Sequence, residues 1–138
     1  MDVTERAFGL LGEGTIFQTR DRSSLAYWRQ IQSGLPVDSF ELVVQHVPTL
    51  DRPRWRRLVN PDGADQVLPL SGSEKAGRLA FILALAVEVW GGWKAADKFL
   101  SRPHRQLSDL SPIQAAESEW GAREVESLLR KIQFGLPA

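Results

Sequence analysis

The sequence predicts an all-α, compact helical protein, and three observations carry that expectation. Apolar residues recur at three- and four-residue intervals in several segments. No stretch shows the alternation of a β-strand. Serine, aspartate, proline and glycine stand where helices begin and end. The 138 residues suffice for one modest domain or two very small ones. A hydrophobic content of 43% and a charged content of 25% are ordinary for a globular chain. Seventeen acidic and seventeen basic residues cancel, so any basic site must be local. The absence of cysteine excludes disulfides, thiolate metal sites and cysteine nucleophiles. The amino terminus MDVTERAF lacks the basic-then-apolar pattern of a signal peptide. The longest apolar run, 79–90, is about a dozen residues with Glu88 inside it, too short to span a bilayer. The expectation is a cytoplasmic protein with no membrane partner.

The elements follow in order. Residues 2–12 predict a short helix with Thr4 as N-cap and Phe8, Leu10 and Leu11 to bury. The run 15–22 is polar and ambiguous. Ser23 or Ser24 caps a helix through Gln32, with Leu25, Trp28 and Ile31 on one face. Gly34 and Pro36 break the chain, and Asp38 is expected to cap a helix striped by Phe40, Val43, Val44 and Val47, which Pro48 stops. Asp51 opens another, with Pro53 in its first turn. Asn60-Pro61-Asp62-Gly63 is a turn signal. Ser71 with Glu74 reads as a capping box for the longest helix, which runs to about Trp90. That helix is apolar nearly all round, which predicts burial on several sides and, in so short a chain, cover from a second subunit. Gly91-Gly92 ends it. A short helix from Trp93 to Leu100 and the loop SRPHRQLSDL follow. Ser111 and Pro112 then start the final pair of helices.

The last of these is the clearest. Val125, Leu128, Leu129 and Ile132 form one apolar stripe, and Glu119–Arg123 and Glu126–Arg130 have the spacing and order of helix ion pairs. Gly135 stands where a helix ends and Pro137 follows. The apolar tail 134–138 either folds back on its own core or enters a partner. The natural division of the chain lies near 63–71, giving an amino-terminal helical region (1–66) and a carboxy-terminal four-helix part (67–138).

Catalytic chemistry finds little support. His46, on a helix beside the apolar stripe, and His104, in a loop, lack ligand spacing and have no cysteine to complete a site. Glu117, Glu119, Glu124 and Glu126 cluster at a helix amino end, where acids complement the dipole. No GxGxxG, P-loop or GxSxG motif is present. The chain reads as a non-enzyme with no catalytic, metal or cofactor site. The one local basic feature is DRPRWRRLV, with Arg52, Arg54, Arg56 and Arg57 around Trp55. Two readings stand side by side: four arginines touching DNA phosphates as in a helix-turn-helix module, or a solvated face with Trp55 turned into the core.

Several stretches resemble the Xre/MbcA/ParS antitoxin family. They are Gly34-Leu35-Pro36 with Ser39-Phe40, then Leu70-Ser71 with Glu74 and Arg78-Leu79-Ala80. Gly91, Ala96, Phe99-Leu100, Pro103, Leu107 and Pro112 follow, and GAREVESLLRKIQFG (121–135) is the most specific. The resemblance covers residues 34–138 and is closest after Ser71. It implies an all-α homodimer that neutralises a cognate RES-domain, NAD-degrading toxin through its last helix and tail. Residue by residue it places the toxin contacts at Arg123, Glu126, Arg130, Lys131, Phe134, Leu136 and Ala138. It also implies operon autoregulation through an amino-terminal helix-turn-helix. Here the sequence departs from the pattern. Either the recognition position falls on DGADQVLP, which has no arginine, or 51–59 is the recognition helix and one earlier helix is missing. The expectation is a degenerate helix-turn-helix-like part, with operator DNA as a partner through Arg52, Arg54, Arg56 and Arg57.

Overall fold

A computed structural model, which describes residues 2–12 and 23–135, places one long helix at the centre of seven others. The described helices are α1 (Val3–Leu10), α2 (Ser24–Gln32), α3 (Val37–Val44), α4 (Arg52–Val59), α5 (Leu70–Trp90), α6 (Trp93–Ser101), α7 (Pro112–Ala115) and α8 (Glu119–Gln133). A single 3-10 turn, Arg105–Leu107, lies between α6 and α7. Among the described residues there is no strand, only isolated bridges at Pro36–Val67 and His104–Leu110. No single helix among them is long and apolar enough to cross a membrane.

The all-round apolar composition of α5 is met within one chain. Leu79, Ala80, Ile82, Leu83, Ala84, Leu85 and Ala86 are all buried. The helices that cover them are α1, α8, α6, α2, α4 and α3. Each fully buried leucine or isoleucine contributes roughly 1.5–3 kcal/mol relative to exposure. A second subunit is therefore not needed to explain this helix, and the expectation that rested on it loses its motive. Gly91, in the left-handed conformation, ends α5, and Trp90 is left 40% exposed at its rim.

Several helix boundaries differ from the sequence expectation. Asp2, not Thr4, caps α1: its carboxylate accepts from Glu5 N at 2.8 Å, which places Thr4 inside the first turn. Ser23 caps α2, but the buried face is Ala26, Tyr27 and Ile31, and Leu25 is 60% exposed. The Tyr27 hydroxyl donates to the Gly77 carbonyl, which turns this face toward α5. Asp38 lies within the first turn of α3, and Pro36 is the N-cap. The cause is a short pairing: Val37 N donates to Gln66 O at 2.9 Å and Leu68 N to Leu35 O at 2.8 Å, which holds Pro36 extended. The expected Ser71–Glu74 box does not form. Helix α5 begins two residues earlier, with Pro69 rather than Ser71 as its N-cap. The useful hydroxyl is that of Ser73, buried, accepting from Leu35 N at 2.9 Å and so tying the α2–α3 connection to α5.

Other expectations hold. Asp51 caps α4 by accepting from Arg54 N, with proline in the first turn. Asn60 closes the turn with two 2.9 Å bonds to the Ala64 backbone. Ser111 and Gln114 form a full capping box on α7. The crossing of α4 on α5 is tight: a Cβ at Gly72 would stand 1.7 Å from the Val59 carbonyl oxygen.

Candidate functional site

Helix α8 offers the candidate surface, because its two faces separate cleanly. Ser118 caps it, accepting from Gly121 N at 3.0 Å. Its start is pressed onto α7: a Cβ at Gly121 would lie 1.8 Å from the Ala115 carbonyl oxygen. That contact fixes where the helix begins and which way its faces turn. Ala122, Val125, Leu128 and Leu129 are buried, and Ile132 packs partly against the same core. At the far end the Phe134 amide bonds to the Arg130 carbonyl, and Gly135 follows with a φ of 67°.

The outer face carries the expected contact residues. Arg123, Glu126, Arg130, Lys131 and Phe134 line one shallow groove together with Ser127. Arg123 is exposed and donates to Glu119 Oε1 at 2.7 Å, as the spacing predicted. The expected Glu126–Arg130 pair is not made. Arg130 instead donates to Gln133 Oε1 at 3.2 Å, toward the helix end. Lys131 is exposed, and Phe134 is 69% exposed. Leu136 and Ala138 lie outside the described residues. One exposed aromatic was not singled out from the sequence: Trp120 is 71% exposed at the start of the same helix. It precedes Phe134 by fourteen residues, so the two aromatic side chains stand about 21 Å apart along the axis at 1.5 Å per residue. A heptad count from Phe134 back through Ser127 would have found it.

Beside this groove lies a cleft of about 440 Å³ between α2, α5 and α8. Trp28, Ile31, Phe81 and Ile82 make its apolar wall, and Glu74, Arg78, Glu119, Arg123 and Glu126 its charged rim. Trp28 and Phe81 are neighbours, with ring centroids 6.4 Å apart. These residues come from three separate helices, so no local pattern announces the cleft.

The arginine cluster is split by its partners. Trp55 is buried in the core. Arg54 grips Glu117 with Nε and Nη2, at 2.7–3.0 Å, joining α4 to the turn before α8. Arg56 grips Glu41 of α3 with two 2.9 Å bonds. The Arg56 hydrogen bond holds the Glu41 carboxyl below its ordinary range, with the charges of Arg56 and Arg52 helping and partial burial opposing. Arg54 and Arg56 are raised in turn, each first by the hydrogen bond to its carboxylate. Arg52 reaches only the Val44 carbonyl, at 3.5 Å, and Arg57 is exposed. The stretch 62–69 holds no helix. The histidines have structural neighbours. His46 lies just past the end of α3 rather than on it, and stacks on Trp93 at 4.7 Å. His104 lies 4.7 Å from the Phe99 ring, with Nε2 3.1 Å from the Phe99 carbonyl. Among the described residues no group of three or more His, Asp or Glu could hold a metal ion.

An all-α chain with two large aromatic side chains and a row of charges exposed along its last helix has the outline of a protein-binding module. Comparison with known proteins finds likenesses for part of the chain. Residues 85–135, from the second half of α5 to the end of α8, match the Antitoxin Xre/MbcA/ParS C-terminal toxin-binding domain. The chain is also 35% identical over 71 residues to the Antitoxin Xre of Pseudomonas putida. That alignment covers 51% of this chain and 45% of the relative, so the match spans a little under half of the relative's length. Both likenesses point to the same group of proteins, the Xre/MbcA/ParS antitoxins.

Proposed function

We propose that the protein is a cytoplasmic, non-catalytic antitoxin that neutralises a RES-domain, NAD-consuming toxin by covering its active site with the outer face of α8 and the residues that follow it. One observation carries the reading. Five of the contact residues implied by the family resemblance line a single open groove, and that groove lies within the stretch matching the toxin-binding domain. Phe134 supplies the apolar anchor typical of interfaces, and Arg123, Arg130 and Lys131 supply orientation. Residues 67–138 are the toxin-binding part in this reading, and 1–66 the amino-terminal region. The test is inhibition of the purified toxin by the full chain and by Phe134→Ala. Phe134 is exposed, so the variant should keep its melting temperature while its affinity falls on the order of tenfold or more. Unchanged inhibition would remove the groove from the mechanism.

A second reading adds operator DNA. It is favoured by the position of α4, basic and third in the run α2–α3–α4, which makes it the recognition helix if the module reads DNA. In that reading Arg52 and Arg57 meet phosphates directly, whereas Arg54 and Arg56 must first leave Glu117 and Glu41. A promoter fragment that fails to shift at low salt would remove this reading. The homodimer rests on the resemblance, and sedimentation at micromolar concentration tests it.

A further inference from the structure

The cleft beside α8 holds a charge imbalance with a definite location. Its rim has three carboxylates and two guanidinium groups. Arg123 donates to Glu119 at 2.7 Å, and Arg78 faces Glu74 at 3.9 Å, beyond hydrogen-bond reach, with its buried Nε unpartnered among the described residues. The carboxylate left over is Glu126, half-buried and, among the described residues, without an ion pair or hydrogen bond. It has no partner because its helical neighbour Arg130 turns to Gln133. The wall behind it is aromatic, with Trp28 and Phe81 presenting ring surface into the same space.

We propose that this cleft receives a basic side chain, an arginine by preference, from the protein that binds α8. A guanidinium entering here would find a free carboxylate in Glu126 and an aromatic wall to lie against. The planar, weakly hydrated guanidinium suits both contacts better than an ammonium does. An anionic guest would have to approach three carboxylates, which outnumber the two guanidinium groups of the rim. Glu126 also lines the groove on the outer face of α8, so the two surfaces are continuous and one partner spans both. The inference rests on the proposed toxin-binding role and extends it to α2 and α5, which lie outside or at the edge of the matched domain.

The experiment measures toxin affinity for the full chain against Glu126→Gln and Glu126→Lys, with Phe134→Ala in parallel. Each arginine of the toxin is also replaced by glutamate and combined with Glu126→Arg. Glu126→Gln keeps the shape of the side chain and should weaken binding about tenfold, with Glu126→Lys weaker still. One toxin arginine variant should lose affinity against the natural chain and regain it against Glu126→Arg. If both Glu126 variants bind like the natural chain while Phe134→Ala binds poorly, the cleft proposal is overturned and the antitoxin reading stands. If the natural chain does not bind the toxin, both readings fail. If the Glu126 variants abolish self-association but leave toxin affinity intact, the guest is a second copy of this chain and the proposal is likewise overturned.

Discussion

Glu41 shows how one residue carries a testable electrostatic signature. Its carboxyl is held below the ordinary range by the Arg56 hydrogen bond. A group with a lower pKa in the folded state binds fewer protons there than in the unfolded chain. Its stabilising contribution is therefore present above the unfolded pKa and is lost as the pH falls through the folded one. Both partners are substantially exposed, so the effect is small. Proton NMR titration should find Glu41 titrating below the exposed glutamates, and Arg56→Ala should return it to their range. Tyr27 is the other informative residue. Burial pushes its phenol far up, so it stays neutral and donates to Gly77 throughout the accessible range. Tyr27→Phe should cost about 1 kcal/mol in denaturant unfolding, the net worth of one hydrogen bond.

At the scale of elements, the junction of α7 and α8 is the most constrained. Gly121 stands against the Ala115 carbonyl with no room for a side chain, and a backbone atom cannot swing aside as a side chain can. Gly121→Ala should therefore push the start of α8 off α7, costing roughly 1–3 kcal/mol in thermal unfolding and tilting the outer face. In the proposed toxin-binding role, affinity for the toxin should fall with it, although Gly121 itself is not among the exposed contacts. The sequence showed this helix well: its buried stripe at Val125, Leu128 and Leu129 and its end near Gly135 are where periodicity and capping put them, although its N-cap, Ser118, was not among the expected caps. It showed α5 less well. Pro69 rather than Ser71 begins that helix, because the pairing of residues 35–37 with 66–68 sets the entering chain before any local cap can.

At the scale of the molecule, α5 binds the two halves of the sequence into one core. Helices α1 to α4 and helices α6 and α8 all pack on it. Trp55 of α4 and Leu83 of α5 are both fully buried in that core. Trp55→Ala should cost about 3–5 kcal/mol, a large share of the 5–15 kcal/mol that a domain of this size typically has. The loss should appear as a lower melting temperature for the whole chain, not as local fraying of α4, since α4 and the carboxy-terminal helices share one support.

The sequence by itself determined the all-α class, most helix ends, the inward stripe of α8 and the resemblance that names its outer face. These are short-range properties: a cap acts within one turn and an amphipathic stripe within a few, so neighbours in sequence suffice to encode them. Only the tertiary structure decided which face of α2 turns inward, that α5 is covered within one chain, and how the arginines are spent. Arg54 could have faced solvent or phosphate, but it meets Glu117, sixty-three residues away, because α4 and the turn before α8 flank the same core. The same holds for the cleft. Trp28, Phe81 and Glu126 have no relation along the chain, and they meet because three helices, α2, α5 and α8, close around a volume their side chains do not fill.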